Sequence, residues 1–352
     1  METEVVVIDE KNIDEEAEKN LERAGGIIRD GGLVAFPTET VYGLGGDALN
    51  PDSSKKIYAA KGRPSDNPLI VHVYRFEDVE TIVSDVPEAA KKLAKAFWPG
   101  PLTMIMKKND KVPYETTGGL DTVAIRMPNN KIALELIRQS GGFIAAPSAN
   151  TSGRPSPTLA RYCVEDLSGK IEMIIDGGQV GIGLESTIVD LTSEVPMILR
   201  PGYITAGMLE EVLGEISIDR TIIDSTSTQK PKAPGMKYKH YAPKGDLMIV
   251  QGSQKAVVEY INAMAKEAAE AGKRVGVIGT DATKALYNAD VVKSVGDRAD
   301  ERTVAHELFK VLREFDDENV DVMFSESFDD SGIGQAIMNR LLKAAGHNVK
   351  VL

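Results

Sequence analysis

The sequence predicts an α/β protein of mixed α+β type in two parts, a larger sheet domain followed by a small βαβ domain with a largely parallel sheet. Three observations lead there. At 352 residues the chain exceeds what one hydrophobic core usually serves. Short apolar runs alternate with a few helical-period segments up to about residue 200, and strands outnumber helices there. After residue 215 the texture breaks into a stretch with prolines, a Ser/Thr run and no strong period, beyond which strand and helix patterns alternate again. The expected boundaries are 1–215, a linker at 216–245, and 246–352.

In chain order, "VVVI", "LVAF", "PLIVHV", "LTMIMK", "TVAIRM", "FIAAPS", "MIIDGG", "STIVDL" and "MILRPG" read as strands. Residues 14–29, 87–97 and 130–139 carry apolar residues at helical spacing with glycine or proline following, and read as helices. The strands between 173 and 200 follow one another too closely for parallel crossovers, so antiparallel pairing is expected there. In the linker, residues 230–244 hold five lysines and one histidine with no acid, inside an acidic protein. Past it, "DLMIVQG", "RVGVIGT" and "VDVMFSE", separated by helical segments, are the strands of the βαβ domain.

Composition excludes several classes. With 42% apolar and 27% charged residues the chain is of ordinary globular type. A single cysteine, Cys163, rules out an internal disulfide and multi-cysteine metal sites, and predicts a cytoplasmic protein. The acidic start, with an apolar run of four, resembles no signal or transit peptide, and no stretch nears the roughly 20 apolar residues that span a bilayer. Net charge is −12, shared as −7 over residues 1–245 and −5 over 246–352, so neither part offers the basic face of a dedicated nucleic-acid binder. GxxxxGK[ST], GxGxxG after a strand, and HExxH are all missing, and four histidines lie scattered at 72, 240, 306 and 347.

Three stretches concentrate polar chemistry. In "FPTETVYGLG", Pro37 stops the strand before it, so Thr38 to Gly46 are expected as an exposed turn whose glycines admit a ligand to the backbone. The hydroxyls of Thr38 and Thr40 either face that ligand or bond the turn's own backbone. In "AAKGRPSDNPLIVHV", Lys61 and Arg63 flank Gly62 at a helix end, with Asn67 and the strand residue His72 following. The two cations suit a phosphate or carboxylate, or else form a solvated C-terminal cap. His72 is either a ligand contact or a satisfied structural group. In "IAAPSANTSGRPSPT", the hydroxyls and amides of Ser148, Asn150, Thr151, Ser152 and Ser156 follow a buried strand and can cradle a phosphate. Ser156, before Pro157, also reads as the N-cap of a helix starting near Thr158.

Two further pieces are "GLDTVAIRMP", which puts Thr122 and Arg126 on one strand face, and "LESTIVDL…ILRPG", with Ser186 and Arg200. Arg126 and Arg200 sit in otherwise apolar strands, where an unpaired guanidinium is costly, so an anion, either internal or from a ligand, should meet each. Together these strand ends offer three arginines, a lysine and many hydroxyls, but no activated nucleophile and no carboxylate pair placed for acid–base work. Such a site binds polyanions and small polar molecules and works by positioning and charge neutralisation.

Six blocks, "FPTETVYGLG", "KGRPSDNPLIVHV", "WPGPLT", "TVAIRMP", "APSANTSGRPSPT" and "ESTIVD…ILRPG", in this order and spacing closely resemble the YrdC-like family of L-threonylcarbamoyladenylate synthases, and the linker "APGMKYKHYAP" with its extra domain resembles the family's long form. The resemblance covers nearly the whole chain. It implies a twisted sheet with a concave basic pocket, a Rossmann-like C-terminal domain, and synthesis of threonylcarbamoyl-AMP and pyrophosphate from L-threonine, bicarbonate or CO2, and ATP. That product serves the threonylcarbamoyl modification of tRNA beside the anticodon, through a downstream transferase. By the same resemblance, Thr40, His72, Arg126, Ser186 and the backbone near Ala146 hold threonine. Lys61, Arg63, Asn67, Thr122, Ser148, Asn150, Ser156 and Arg200 surround ATP, with Lys61 and Arg63 assisting catalysis and Tyr238 closing over the nucleotide. Magnesium is expected to arrive with ATP, with no protein metal ligands and no organic cofactor, and the basic linker is expected to act as a lid.

Three rival readings stand beside this one. A non-catalytic protein binding structured RNA is the main alternative, against which the acidic charge weighs. The carbamoyltransferase that matures hydrogenases embeds a similar domain, but in a far longer chain with paired-cysteine zinc motifs that one cysteine excludes. Nucleotide binding by the C-terminal domain rests only on "VGVIGT" and "GIGQA", whose glycines read as turns.

Overall fold

The computed structural model describes residues 1–219 and 240–352. It divides into two compact units. The first comprises Met1–Ser152, Ser156–Gly181 and the chain from Glu185 to the linker, and the second comprises Gly153–Pro155, Ile182–Leu184 and the C-terminal segment. Tyr238 and most of the basic linker expected as a lid lie outside the described residues.

The first unit runs β1 (Glu4–Val7), α1 (Glu15–Arg29), β2 (Val34–Phe36), β3 (Gly43–Asp47), α2 (Pro51–Lys61), β4 (Ile70–His72), α3 (Glu88–Phe97), β5 (Leu102–Lys107), α4 (Tyr114–Thr117) and β6 (Thr122–Arg126). It continues with α5 (Lys131–Gln139), β7 (Ile144–Ala145), α6 (Ala160–Leu167), β8 (Met173–Asp176), β9 (Thr187–Asp190), β10 (Met197–Arg200), α7 (Ala206–Leu213) and β11 (Ser217–Ile218). Local chemistry sets the helix ends. Asp14 and Asn130 accept backbone N–H bonds at the starts of α1 and α5, satisfying donors no helix can pair internally. Asn50 caps α2 ahead of Pro51, and Gly62, left-handed at φ 60°, ends it.

The strands form one sheet in the order β1-β8-β2-β3-β7-β4-β6-β5-β9-β10-β11. All nine strands expected in this part are present, joined by β3 and the short β11. The antiparallel expectation for 173–200 holds for β9 with β10 but not for β8, which runs parallel to β1 and β2. Sequence proximity misleads there, because β8 and β9 are neighbours in the chain and far apart in the sheet.

In the middle of the sheet the two faces differ. Val71, Met104, Met106, Val123, Ile125, Val189 and Ile198 belong to the large core on one face. Their alternates Ile70, Ile105, Ala124, Ile188 and Leu199 make a small apolar strip on the other. The same alternation puts His72, Thr103, Thr122 and Arg126 on the strip's face, so that face carries polar side chains at its ends around a narrow apolar floor.

The second unit contains β12 (Asp246–Gln251), α8 (Gln254–Glu270), β13 (Val275–Gly279), β14 (Val291–Ser294), α9 (Glu301–Asp317), β15 (Val322–Glu326), α10 (Gly332–Ala344) and β16 (Val349–Val351). Its five strands are all parallel, in the order β14-β13-β15-β12-β16, with the three helices in the crossovers. The three strands expected from the sequence are the inner ones, and the two missed are at the edges.

Candidate functional site

One group of polar residues gathers at the C-terminal ends of β4 and β6 and the N-terminal ends of β5 and β9. Parallel pairing sets His72 beside Arg126, and antiparallel pairing sets Thr103 on the other side of Arg126. From the β2–β3 connection, Thr40 Oγ1 accepts a bond of 2.9 Å from Arg126 Nη1. Thr38 holds that connection in place, donating from Oγ1 to the carbonyl of Val41 at 2.7 Å and lying 2.9 Å from Thr40 Oγ1. Arg126 Nε reaches the carbonyl of Gly100 at 3.4 Å, and Nη2 lies 2.6 Å from Glu39 Oε2. On the neighbouring strands, Thr103 and Ser186 share a hydroxyl bond of 2.8 Å, and Arg200 donates to the Ser186 carbonyl at 3.0 Å and to its hydroxyl at 3.2 Å.

His72 is buried, with Nδ1 3.1 Å from the Ile70 carbonyl and Phe36 meeting its ring edge-on at 6.3 Å. A carbonyl only accepts, so this contact is a hydrogen bond in the tautomer with the proton on Nδ1. Burial, aided by the Arg126 charge, pushes its pKa down to about 3. The imidazole is neutral, and the cationic charge at this end of β4 and β6 comes from Arg126.

A second group lies along α2 and the two loops it meets. Lys61, 3% exposed, donates from Nζ to the carbonyls of Ser148 and Asn150, while its own carbonyl accepts from Ser152 N at 2.8 Å. Ala146 N bonds the Ile70 carbonyl at 2.9 Å, which pins the start of the same loop to β4. Arg63 curls onto the carbonyls of Asn67 and Pro68, both at 3.2 Å, just before β4. Buried Asn67 keeps Oδ1 without a partner. The β4–β6 register, Ile70 beside Ala124, carries Thr122 to the same end as Pro68, four residues and about 13 Å along β6 from Arg126. Ser156 Oγ donates to Glu185 Oε1 at 2.6 Å.

Four sequence expectations change. The stretch 38–46 is not an exposed turn. Thr38 and Thr40 are buried, and the glycines belong to strand β3. A Cβ on Gly45 would stand 2.8 Å from Ile144 Cγ2 and 2.9 Å from Phe36 Cε1, so this glycine makes room for core side chains, not a ligand. Of the two hydroxyls, Thr38 bonds its own turn and Thr40 turns to Arg126. Lys61 is no solvated cap, because two carbonyls replace its water. Ser156 does not cap a helix. α6 starts at Ala160 with Leu159 before it, four residues past Ser156, whose hydroxyl donates to Glu185.

Glu39, Thr103 and Glu185 went unnoticed in the sequence. Glu39 had a signal, because an arginine inside an apolar strand demands an anion, but the partner's identity needed three dimensions.

A sequence profile of the Sua5, YciO and YrdC proteins, described as "Telomere recombination", matches residues 26–202. A second, described as "Threonylcarbamoyl-AMP synthase, C-terminal domain", matches residues 204–346. The chain belongs to the Sua5/YciO/YrdC family. Among curated members, the threonylcarbamoyl-AMP synthase of Pyrococcus abyssi is 51% identical over 326 residues, covering 93% of this chain and 94% of that one. The threonylcarbamoyl-AMP synthase of Bacillus subtilis is 51% identical over 328 residues, covering 93% of each. The crystal structure of P. abyssi Sua5 complexed with L-threonine superposes with a TM-score of 0.93 at 47% identity, covering 99% of this chain and all of that one. This Sua5/YciO/YrdC chain thus matches these relatives over nearly all of its length.

Proposed function

We propose that this member of the Sua5/YciO/YrdC family is an L-threonylcarbamoyladenylate synthase, a nucleotidyltransferase that makes threonylcarbamoyl-AMP and pyrophosphate from L-threonine, bicarbonate or CO2, and ATP. The observation that carries the reading is the pair of buried hydroxyl–guanidinium contacts on one sheet face, Thr40 with Arg126 and Ser186 with Arg200. It suits a small polar anion at one end and a polyanion nearby, and it occurs in a chain 51% identical to threonylcarbamoyl-AMP synthases.

In this reading Arg126, Thr40, His72, Ser186 and the backbone at Ala146 hold threonine, and the neutral His72 adds hydrogen bonding without charge. Lys61, Arg63, Asn67, Thr122, Ser148, Asn150, Ser156 and Arg200 hold ATP, with Tyr238 from the linker. The deprotonated threonine amine attacks the carbon of CO2 to give a carbamate and a proton, or the carbon of bicarbonate to give a carbamate and water. A carbamate oxygen then attacks the α-phosphorus of ATP, and pyrophosphate leaves. Lys61 and Arg63 assist by opposing the phosphate charge, the main service a protein gives phosphoryl transfer. In this reading magnesium enters with ATP as the counter-ion of its phosphates.

The proposal assigns residues 1–215 to catalysis, 216–245 to a linker and 246–352 to an accessory Rossmann-like domain. No helix among the described residues is long and apolar enough to cross a membrane. We place the enzyme in the cytoplasm, upstream of a transferase that moves the threonylcarbamoyl group to tRNA. The deciding experiment incubates the pure chain with ATP, magnesium, bicarbonate and threonine, and follows threonylcarbamoyl-AMP by mass spectrometry together with pyrophosphate, with alanine replacing threonine in parallel. Threonine-dependent adenylate is expected. ATP binding without adenylate, joined to a salt-sensitive, ATP-independent affinity for structured RNA, would overturn the reading.

A further inference from the structure

Glu39 stands in a condition unusual for a buried carboxylate. Its side chain is 12% exposed and that of Arg126 is 5% exposed, and Oε2 lies 2.6 Å from Arg126 Nη2. Yet neither Glu39 oxygen receives a hydrogen bond, and Nη2 donates none, because the two groups are close as ions but misaligned as donor and acceptor. The other Arg126 nitrogens are engaged, Nη1 with Thr40 and Nε with Gly100. Buried charged groups normally satisfy their hydrogen bonds, and leaving them unmet is costly. Here unmet capacity falls on two facing groups of opposite sign. They sit on the sheet face that also carries His72 and Thr103, beside the strip of Ile70, Ile105 and Ala124.

From this geometry we infer that Glu39 accepts the α-ammonium group of the amino-acid substrate, while Arg126 Nη2 takes its α-carboxylate. The inference rests on the function proposed above and deepens it. An α-amino acid carries its ammonium and carboxylate one carbon apart, so its two charges are nearly as close together as Glu39 and Arg126 are. A zwitterion laid against the pair supplies N–H donors to the Glu39 oxygens and an acceptor to Nη2, completing both sets with charge-assisted bonds. A carboxylic acid lacking the amine would satisfy Arg126 alone and leave Glu39 unmet. Glu39 thereby fixes in place the nitrogen that becomes the nucleophile once the ammonium has lost a proton, and selects for an amino acid over the same acid without its amine.

The test is calorimetric binding to the full chain of L-threonine, of 3-hydroxybutyrate, which is threonine without its amine, and of ATP, comparing wild type with Glu39→Gln. The expected result is a loss of threonine affinity of about 10- to 100-fold in Glu39→Gln, the scale of one charged hydrogen-bonding group, with 3-hydroxybutyrate and ATP unchanged. Equal weakening of threonine and 3-hydroxybutyrate would overturn the inference, showing that Glu39 merely holds Arg126. So would unchanged threonine binding. If wild type binds ATP but not threonine, both the inference and the proposed function fall, whereas threonine-dependent adenylate with a normal threonine KM in Glu39→Gln sinks the inference alone. Should Glu39→Gln not fold, judged by Trp98 emission, Glu39→Asp keeps the charge but withdraws it by one methylene. It is expected to raise the threonine KM without moving 3-hydroxybutyrate binding, and equal effects on the two ligands would again refute the inference.

Discussion

Replacing His72 with glutamine should remove a one-proton acid sensitivity from the first unit. The native imidazole is buried beside the Arg126 guanidinium, and its pKa is depressed from the ordinary 6.5 to about 3 by burial first and that charge second. In the unfolded chain it regains 6.5, so between these values the unfolded state binds a proton that the native state refuses. Stability from the neutral histidine is therefore complete above about pH 6.5 and is lost progressively as pH falls toward 3. Integrated from pH 7 to pH 5, the loss is about 2 kcal/mol. The assay is urea unfolding followed by Trp98, the single tryptophan, whose indole bonds the Leu102 carbonyl at 2.7 Å within this unit. Wild type should lose about 2 kcal/mol more than His72→Gln between pH 7 and pH 5, carboxylates and the other histidines being common to both. Equal losses would refute the argument and mean that the native ring titrates normally. The functional corollary is a kcat/KM for threonine without an ionisation near 6.5 from this residue.

Lys61→Met keeps the stem but removes the ammonium that bonds the Ser148 and Asn150 carbonyls, so it should destabilise the first unit by about 3 kcal/mol in the same urea assay and raise the KM for ATP. A raised KM with unchanged stability would mean the ammonium serves ATP and not the loop. Gly45→Ala drives a methyl to within 3 Å of Ile144 and Phe36, and should cost about 1–3 kcal/mol, where a neutral result would show that β3 yields easily. Ser186→Ala removes the hydroxyl shared by Thr103 and Arg200 but spares the bond to its carbonyl, and should raise the KM for threonine while leaving that for ATP. If the KM for ATP moves instead, Ser186 belongs to the nucleotide subsite.

Some of the local placement of these residues could be read before the fold was known. The pleat alone put Thr122 and Arg126 on one face, and the expense of a guanidinium in an apolar strand called for an anion beside Arg126. Lys61, Gly62 and Arg63 were correctly expected at a helix end. What could not be read was which group takes up which charge. Glu39 and Arg126 are 87 positions apart, and only the β2–β3 connection folding over the end of β6 brings them to 2.6 Å. Ser156 shows the same limit from the other side. Its local surroundings favoured a cap, but the helix starts only at Ala160 and the hydroxyl meets a carboxylate 29 residues away.

Local physics, then, settled the elements: short apolar runs marked nine strands of the first unit, helical spacing marked residues 14–29, 87–97 and 130–139, and the Ser/Thr- and proline-bearing stretch after 215 separated two kinds of texture. These signals act over a few residues and need no partner. Strand order, the direction of β8, the burial of 38–46 and the ties of Lys61 were decided by tertiary structure. Pairing between distant segments is fixed by whole-sheet burial and by the need of each buried polar group for a partner, and neither has a local signature.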